Sequence, residues 1–501
     1  MVNKISHSIY RVLSSNKFFY VIIGLLIIQA AWFALTAQYP MAFDENYHFG
    51  LIQIYSHQWL PFINNAPANS AIYGEITRYD SYLYHYLMSF PYRIIASFIH
   101  QQSAQIIIMR FLNIGLFAGG MILFRQLFNR LKISKTMINF SLLMLVLIPA
   151  VPFLAATINY DNLIFVLVPL IASLALDCRD GIVLSGKIPV TRFILLITVG
   201  ILGSLVKYPF LPIFGATIIY LAVIFIRTSS KATLIKATAN SFKSLRHWLQ
   251  VTLIIAMIIS GGLFIERYGV NLFQYHSLEP ECSKIQATSY CVQYGPWARN
   301  NRITTNIIDN DPDYDPQMFL FVPYWFGGMI YRLYFAINYD YSNDLPLPIP
   351  ITIAAIIGFI GLIILVVFRK IIISIDRRLL LFVTILALYI GAIFYINLTE
   401  YLRYRTMLAV NGRYLVIVLP FLFILMGLAY RQLFKRLVKK RLESFVNIFA
   451  VVIILLLLQG GGMFTYLIRG ESGWYWQDKS VIDFNLNLKN IISPLIISGK
   501  G

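Results

Sequence analysis

The sequence predicts an all-α integral membrane protein with about eleven membrane-spanning helices. Three observations predict it. Of the 501 residues, 58% are hydrophobic and only 13% are charged, too little charge to cover a water-soluble domain. Apolar runs of about 20 residues, long enough to cross a hydrocarbon core, recur along the whole chain. Lys and Arg gather between alternate pairs of those runs.

In chain order the runs fall near 19–37, 105–123, 137–155, 162–177, 191–206, 208–226, 248–265, 347–368, 379–396, 414–430 and 446–466. The first is too long for a removable signal peptide and lacks a small-residue cleavage site, so it reads as an anchor. With the N-terminus cytoplasmic, the inner segments are 1–18, 124–136, 177–190, 227–247, 369–378 and 431–445. Counting Arg192 at the edge of the fifth helix, they hold 25 of the 41 Lys and Arg. They hold only four acids: Asp177, Asp180, Asp376 and Glu443. The formal net charge of +19 is therefore a collar at the inner leaflet, and no nucleic-acid partner is expected. An odd number of spans puts the C-terminus outside.

Two long outer segments follow from this map, 38–104 and 266–346, with an outer tail at 467–501. Asn46–Leu60 and Tyr82–Phe98 have helical periodicity with aromatic faces and are expected as interfacial helices. The second outer segment is expected to be a folded loop, and Trp474-Tyr-Trp476 an aromatic anchor in the tail. The chain divides into a membrane module at 1–235, carrying the loop 38–104, and a second module at 236–501. Cys282 and Cys291 lie in the second outer segment, where an oxidising compartment allows a disulfide. Cys178 lies inside and is expected to stay a free thiol.

Polar residues that look out of place converge on the outer face. Asp44, Glu45 and His48 follow the first span. Asn159-Tyr-Asp161-Asn162 forms the turn between the third and fourth. Lys207-Tyr208-Pro209 joins the fifth and sixth. Arg403, Arg405 and Asn411-Gly-Arg413-Tyr414 precede the tenth. Arg and Lys hold phosphate oxygens, and a carboxylate can take a proton from an attacking hydroxyl. A carboxylate pair, a lone lysine and arginines on one face therefore suit a lipid-linked phosphate substrate. Each residue also has a structural alternative. Asp44, Glu45 and Asp161 sit where they can cap helices. Lys207, Arg403, Arg405 and Arg413 sit where they can snorkel to headgroups, and His48 where it can be a structural hydrogen-bond partner. Asp309-Asn-Asp311-Pro-Asp313-Tyr-Asp315 alternates acids, but Tyr314 and Leu320 stand where a calcium-binding loop needs Gly and Glu. It reads as a solvated turn; no metal ligands are assigned, and a divalent cation stays open as a cofactor.

Phe43-Asp-Glu-Asn-Tyr-His-Phe49 resembles the acidic signature in the first outer loop of GT-C glycosyltransferases, multi-span enzymes that use polyprenyl-phosphate sugars. Trp59-Leu-Pro61, Tyr79–Tyr86, Ile158-Asn-Tyr-Asp161, and Gly412-Arg-Tyr414 with Pro420 are also similar to that group. The likeness is strongest to bacterial enzymes that decorate surface polysaccharides and to the protein-mannosyltransferase-like branch. It covers most of 19–226 and about 400–425; nothing in 230–395 matches. The resemblance implies a GT-C fold with its catalytic module at 1–235, and Asp44 as general base for an acceptor hydroxyl, with Glu45 orienting the acceptor or sharing that role. It implies Lys207 and Arg413 at the donor phosphate, with Arg405 and Tyr414 beside them. His48, Asp161, Asn159 and Tyr208 would line the same cleft. A single base with in-line attack implies inversion at the anomeric carbon, because retention needs two carboxyls about 5–5.5 Å apart.

The expected activity is therefore hexosyl or pentosyl transfer from a polyprenyl-phosphate donor to an envelope acceptor. The acceptor would be an O-antigen or another glycolipid or glycopolymer, met at the outer face of a bacterial cytoplasmic membrane among its lipids. Two other functions compete. A transporter or flippase places its polar sites near the bilayer midplane, where Arg110 is the main candidate. A non-catalytic assembly factor for lipid-linked glycans has no need of the Asp-Glu pair.

Overall fold

The computed structural model describes residues 10–228, 231–310, 317–334, 349–438 and 442–496. Among them the regular structure is helical, and the one strand-like contact is an antiparallel bridge between Ala37 and Tyr475. The chain opens with α1 (Asn16–Thr36), capped by the Ser15 hydroxyl, which accepts from the Phe18 amide. The amphipathic helices α2 (Glu45–Ser56) and α3 (Leu83–Phe98) pack together close to the two expected interfacial positions. α3 turns Phe90, Ile94 and Phe98 outward.

After α4 (Gln102–Asn129), the third expected span is broken into α5 (Lys135–Leu147) and α6 (Ala150–Ala156), which meet at a 74° bend. Pro149 causes the break. It has no amide hydrogen to donate, and it holds Ile148 in extended backbone at φ −71° and ψ 123°. Then come α7 (Asp161–Ser185), α8 (Val190–Val206), α9 (Leu211–Arg227) and α10 (Lys231–Lys243). α11 (His247–Tyr275) runs past its expected end at 265 through a π-helical turn at Ile265–Gly269. The second outer segment holds α12 (Gly295–Asn310) and the apolar α13 (Met318–Tyr334), and residues 311–316 of its acidic run lie outside the described residues. The chain ends with α14 (Ile349–Ile375), α15 (Leu379–Tyr404), α16 (Leu419–Leu437), α17 (Leu442–Leu458), α18 (Phe464–Arg469) and α19 (Lys479–Ile492).

Seven described helices are long and apolar enough to cross a membrane: α1, α4, α7, α9 with its leading 3-10 turn, α11, α14 and α15. The count is eight if α5 and α6 form one broken span. This is the architecture of an α-helical, multi-pass membrane protein. The remaining expected spans form shorter or more basic helices. α8 has 17 residues, and α16 carries Arg431, Lys435 and Arg436. The run 446–466 is divided by Gly460–Gly462, where Gly460 and Gly462 take the positive φ angles that favour glycine.

The bundle has two polar ends. At one, Asp177 on α7 pairs with Arg130 after α4 (2.5 Å) and lies 3.6 Å from Arg192 on α8. Asp180 pairs with Arg179 (2.5 Å), and Asp376 with Arg378 before α15 (2.7 Å). Three of the four acids assigned to the basic side are thus tied to its arginines. The opposite end gathers the start of α2, the start of α7, the α8–α9 turn and the segment before α16. Gly412 in that segment lies against α13, where an added Cβ would sit 2.3 Å from the Met329 carbonyl oxygen.

In the tail, Trp474-Tyr-Trp476 packs on the end of α1. Tyr475 is fully buried, the Trp476 amide donates to the Thr36 carbonyl (2.9 Å), and the Gln38 amide donates to the Trp474 carbonyl (3.0 Å). The Trp32 indole donates to Asn485 on α19 (2.9 Å). The glycine run folds the chain back, and the Trp474 ring packs against Phe33 and Phe153. Cys282 and Cys291 are disulfide-bonded, and Cys178 is free and buried.

Candidate functional site

The site begins with two consecutive non-glycine residues in the left-handed region, Phe43 (φ 70°) and Asp44 (φ 64°). That conformation costs of order 1–3 kcal/mol per residue and persists only where the surroundings impose it. Asn159 supplies one restraint by donating to the Phe43 carbonyl (2.8 Å). Arg413 supplies another, its guanidinium 4.9 Å from the Phe43 ring centre. The twist turns the two adjacent carboxylates apart.

Glu45 points inward and is fully buried with Arg110. Arg110 clasps it twice, Nε to Oε1 (2.8 Å) and Nη2 to Oε2 (2.7 Å). The same guanidinium donates to the Ala34 and Ala37 carbonyls (3.2 and 2.8 Å), and Oε2 accepts from the Met41 amide (2.7 Å). This overturns the expected catalytic or acceptor-orienting role: no face of Glu45 is left for a substrate. Arg110, the charge set aside for a midplane site, is its counterion.

Asp44 points outward. Its side chain is 61% exposed and accepts from Arg413 Nη2 at 2.6 Å. It precedes α2 but makes no side-chain capping bond, so its carboxylate serves the arginine instead. Burial works against the Arg413 charge, but Tyr414, Asp44 and Asp161 outweigh it and raise its pKa further.

Lys207 is not alone as expected. Its ammonium meets Asp161 Oδ1 at 2.5 Å, both groups being buried, and lies 4.6 Å and 4.8 Å from the ring centres of Tyr160 and Tyr414. Asp161 opens α7, yet its carboxylate holds this lysine; its second oxygen has no hydrogen-bond partner. Asn159 accepts from the Asp161 amide (2.9 Å), so one turn links Phe43, Asp161 and Lys207. Asp44, Asp161, Lys207, Arg413 and Tyr414 therefore form one cluster. Arg405 instead ends α15 in the left-handed region, and Arg403 pairs with Glu281 (2.5 Å). The Tyr208 amide donates to the Ser81 hydroxyl (2.9 Å).

His48 has an unforeseen partner, His85 on α3. Their Nδ1 and Nε2 atoms are 2.9 Å apart and their rings are stacked. Burial, then His85, Arg413 and Lys207, push the His48 pKa well below its usual value. Burial pushes His85 down to about 3.

A polar cleft of about 620 Å³, lined by Tyr47 and Asp80 among others, lies between the first outer segment, the second and the end of α15. Tyr294 borders it, and its pKa is pushed up to about 12 by burial, then by Asp44 and Glu279. The cleft acids Asp80, Glu279 and Glu400 went unnoticed in the sequence because no spacing links them. Among the described residues, no group of three or more His, Cys, Asp or Glu is arranged to hold a metal ion.

Two outcomes are expected. Arg110→Met or Glu45→Gln strands a buried charge or donor and should cost about 3–5 kcal/mol, read as a fall in Tm of the detergent-purified protein. Asp44→Asn should leave Tm unchanged. Unfolded, His85 binds a proton below about pH 6.5; folded, it binds one only near pH 3. The unfolded state thus holds more protons in that window, and stability should fall as pH drops from 6.5 toward 3. The slope for one such group is about 1.4 kcal/mol per pH unit. His85→Gln should flatten the dependence of Tm between pH 7 and 5, and an unaltered slope would reject this origin. No protein-family model matches the chain, and no curated protein matches it.

Proposed function

We propose that this protein is an inverting GT-C-type glycosyltransferase with eleven spans and a cytoplasmic N-terminus. It moves a hexose or pentose from a polyprenyl-phosphate donor to a hydroxyl of an envelope glycan or glycolipid. The transfer takes place at the outer face of a bacterial cytoplasmic membrane. One observation carries the reading. An exposed carboxylate, Asp44, sits 2.6 Å from Arg413 at one end of an apolar helix bundle, three residues before Tyr47, which lines a polar cleft.

The chemistry follows from that pairing. Arg413 Nη2 donates to Asp44 Oδ2 and orients the carboxylate that would serve as general base. When a donor phosphate enters, Arg413 turns its remaining donors to it, bidentate geometry being the arginine's strength. The released Asp44 carboxylate takes the proton of the acceptor hydroxyl as that oxygen attacks the anomeric carbon. The bond from that carbon to the phosphate oxygen breaks, and the polyprenyl phosphate leaves with its electron pair. Lys207 and Arg413 balance the charge that builds on the leaving oxygen. Attack from the face opposite the phosphate inverts the sugar. The isoprenoid stays in lipid beside the helices throughout.

Purified protein, incubated with a panel of polyprenyl-phosphate sugars and envelope acceptors and read by mass spectrometry, should yield a glycosylated acceptor. Asp44→Asn should lower turnover by about 10²-fold or more with donor binding retained; equal turnover would remove the base. Parallel reactions with EDTA show whether a divalent cation joins the donor. Single cysteines placed at 44 and 377 should react with a membrane-impermeant maleimide from opposite sides. Labelling from one side would refute the topology.

A further inference from the structure

The cleft bordered by Tyr294 holds carboxylates that form no ion pair among the described residues. Its two arginines are already engaged. Arg78 is bound to Glu266 (2.7 Å) and to Asn271 (2.8 Å), and Arg403 to Glu281 (2.5 Å). Of the other four carboxylates of the cleft, Glu75 accepts from the Thr77 and Arg78 amides, and Asp80, Glu279 and Glu400 are left. Asp80 is 1% exposed, and its Oδ2 makes no hydrogen bond. Its Oδ1 has only the Ser81 hydroxyl at 3.3 Å. Glu400 Oε2 is likewise buried and unpartnered. Burial and then Glu279 raise the Asp80 pKa well above the carboxylate range, and burial and then Glu400 raise that of Glu279. Keeping such groups near one another is costly unless a positive charge joins them.

The walls say what kind of cation. Tyr47, Tyr294 and Trp297 line the same cleft, and aromatic faces attract ammonium groups and stack on the apolar faces of sugar rings. A volume of about 620 Å³ falls among small-molecule sites of roughly 300–1,000 Å³, far more than a bare ion fills. We propose that this cleft is the acceptor site and that it takes a saccharide bearing a free, protonated amine, held by Asp80 and Glu279 against the Tyr47–Tyr294 wall. Naming it the acceptor site rests on the transfer function proposed above; the preference for an amine does not.

Binding is therefore measured apart from turnover. A glucosamine tetramer and its fully N-acetylated counterpart, titrated by calorimetry into the full-length protein in detergent at pH 6.5, differ in the amine charge. The glucosamine tetramer should bind at least tenfold more tightly. Glu279→Gln, whose side chain makes no ion pair among the described residues, should remove most of that difference, as should Asp80→Asn where it folds. Equal affinity for the two tetramers, or a preference that survives Glu279→Gln, would overturn the proposal even if sugar transfer is found. Amine-selective binding with no transfer to any acceptor would leave the cleft's specificity standing and remove its role as an acceptor site.

Discussion

The Glu45–Arg110 ion pair is the interaction on which the rest of this end of the molecule depends. A charged pair with no exposure is stabilising only if its remaining polar atoms are satisfied. Here the Ala34 and Ala37 carbonyls and the Met41 amide satisfy them. Those partners lie at the end of α1 and in the loop that follows, so the pair fixes the exit of α1 against α4. The tail adds a lid, with Arg110 positioned 5.5 Å from the Trp476 ring centre. Because the pair is fixed, the backbone immediately before it is fixed too.

That constraint explains how two neighbouring acids come to do different things. Glu45 is held inward by four donors, two from Arg110 and the Met41 and Ile158 amides. The left-handed turn at Phe43 and Asp44 then has one remaining direction for the Asp44 side chain, outward to Arg413. The strain in that turn is therefore balanced by a buried structural pair one residue away. On the proposed function, the same dipeptide supplies both the base and the clamp that aims it.

The sequence made some of this visible and hid the rest for identifiable reasons. Helix periodicity and charge sidedness brought Asp44, Asp161, Lys207 and Arg413 to one end, and the structure joins them within hydrogen-bond distance in pairs. The role of Glu45 was hidden because adjacency in sequence says nothing about which carboxylate faces the core. Arg110 stood out as a buried charge, but its partner lies 65 positions away and no periodicity couples them. His85 was hidden in the same way. The acids of the cleft come from three separate segments and meet only through tertiary folding, and α13 went unread because Pro323 and its polar flanks looked like loop. The packing of Trp474-Tyr-Trp476 was hidden because aromatic belts and aromatic cores share one composition.

On the proposed function, the charges around Asp44 suit group transfer better than transport. On one side Arg413 and Lys207 pair with Asp44 and Asp161, and on the other Glu279 and Asp80 line the cleft that Tyr294 borders. A phosphate is drawn to the first side and repelled from the second, and an ammonium the reverse. A transport path would need one ligand to pass through both fields, at a desolvation cost in whichever repels it. A reaction needs two ligands, each held in its own field, meeting at the boundary. On the proposed function, Asp44 is the exposed carboxylate that takes a proton from one ligand as the other departs with negative charge.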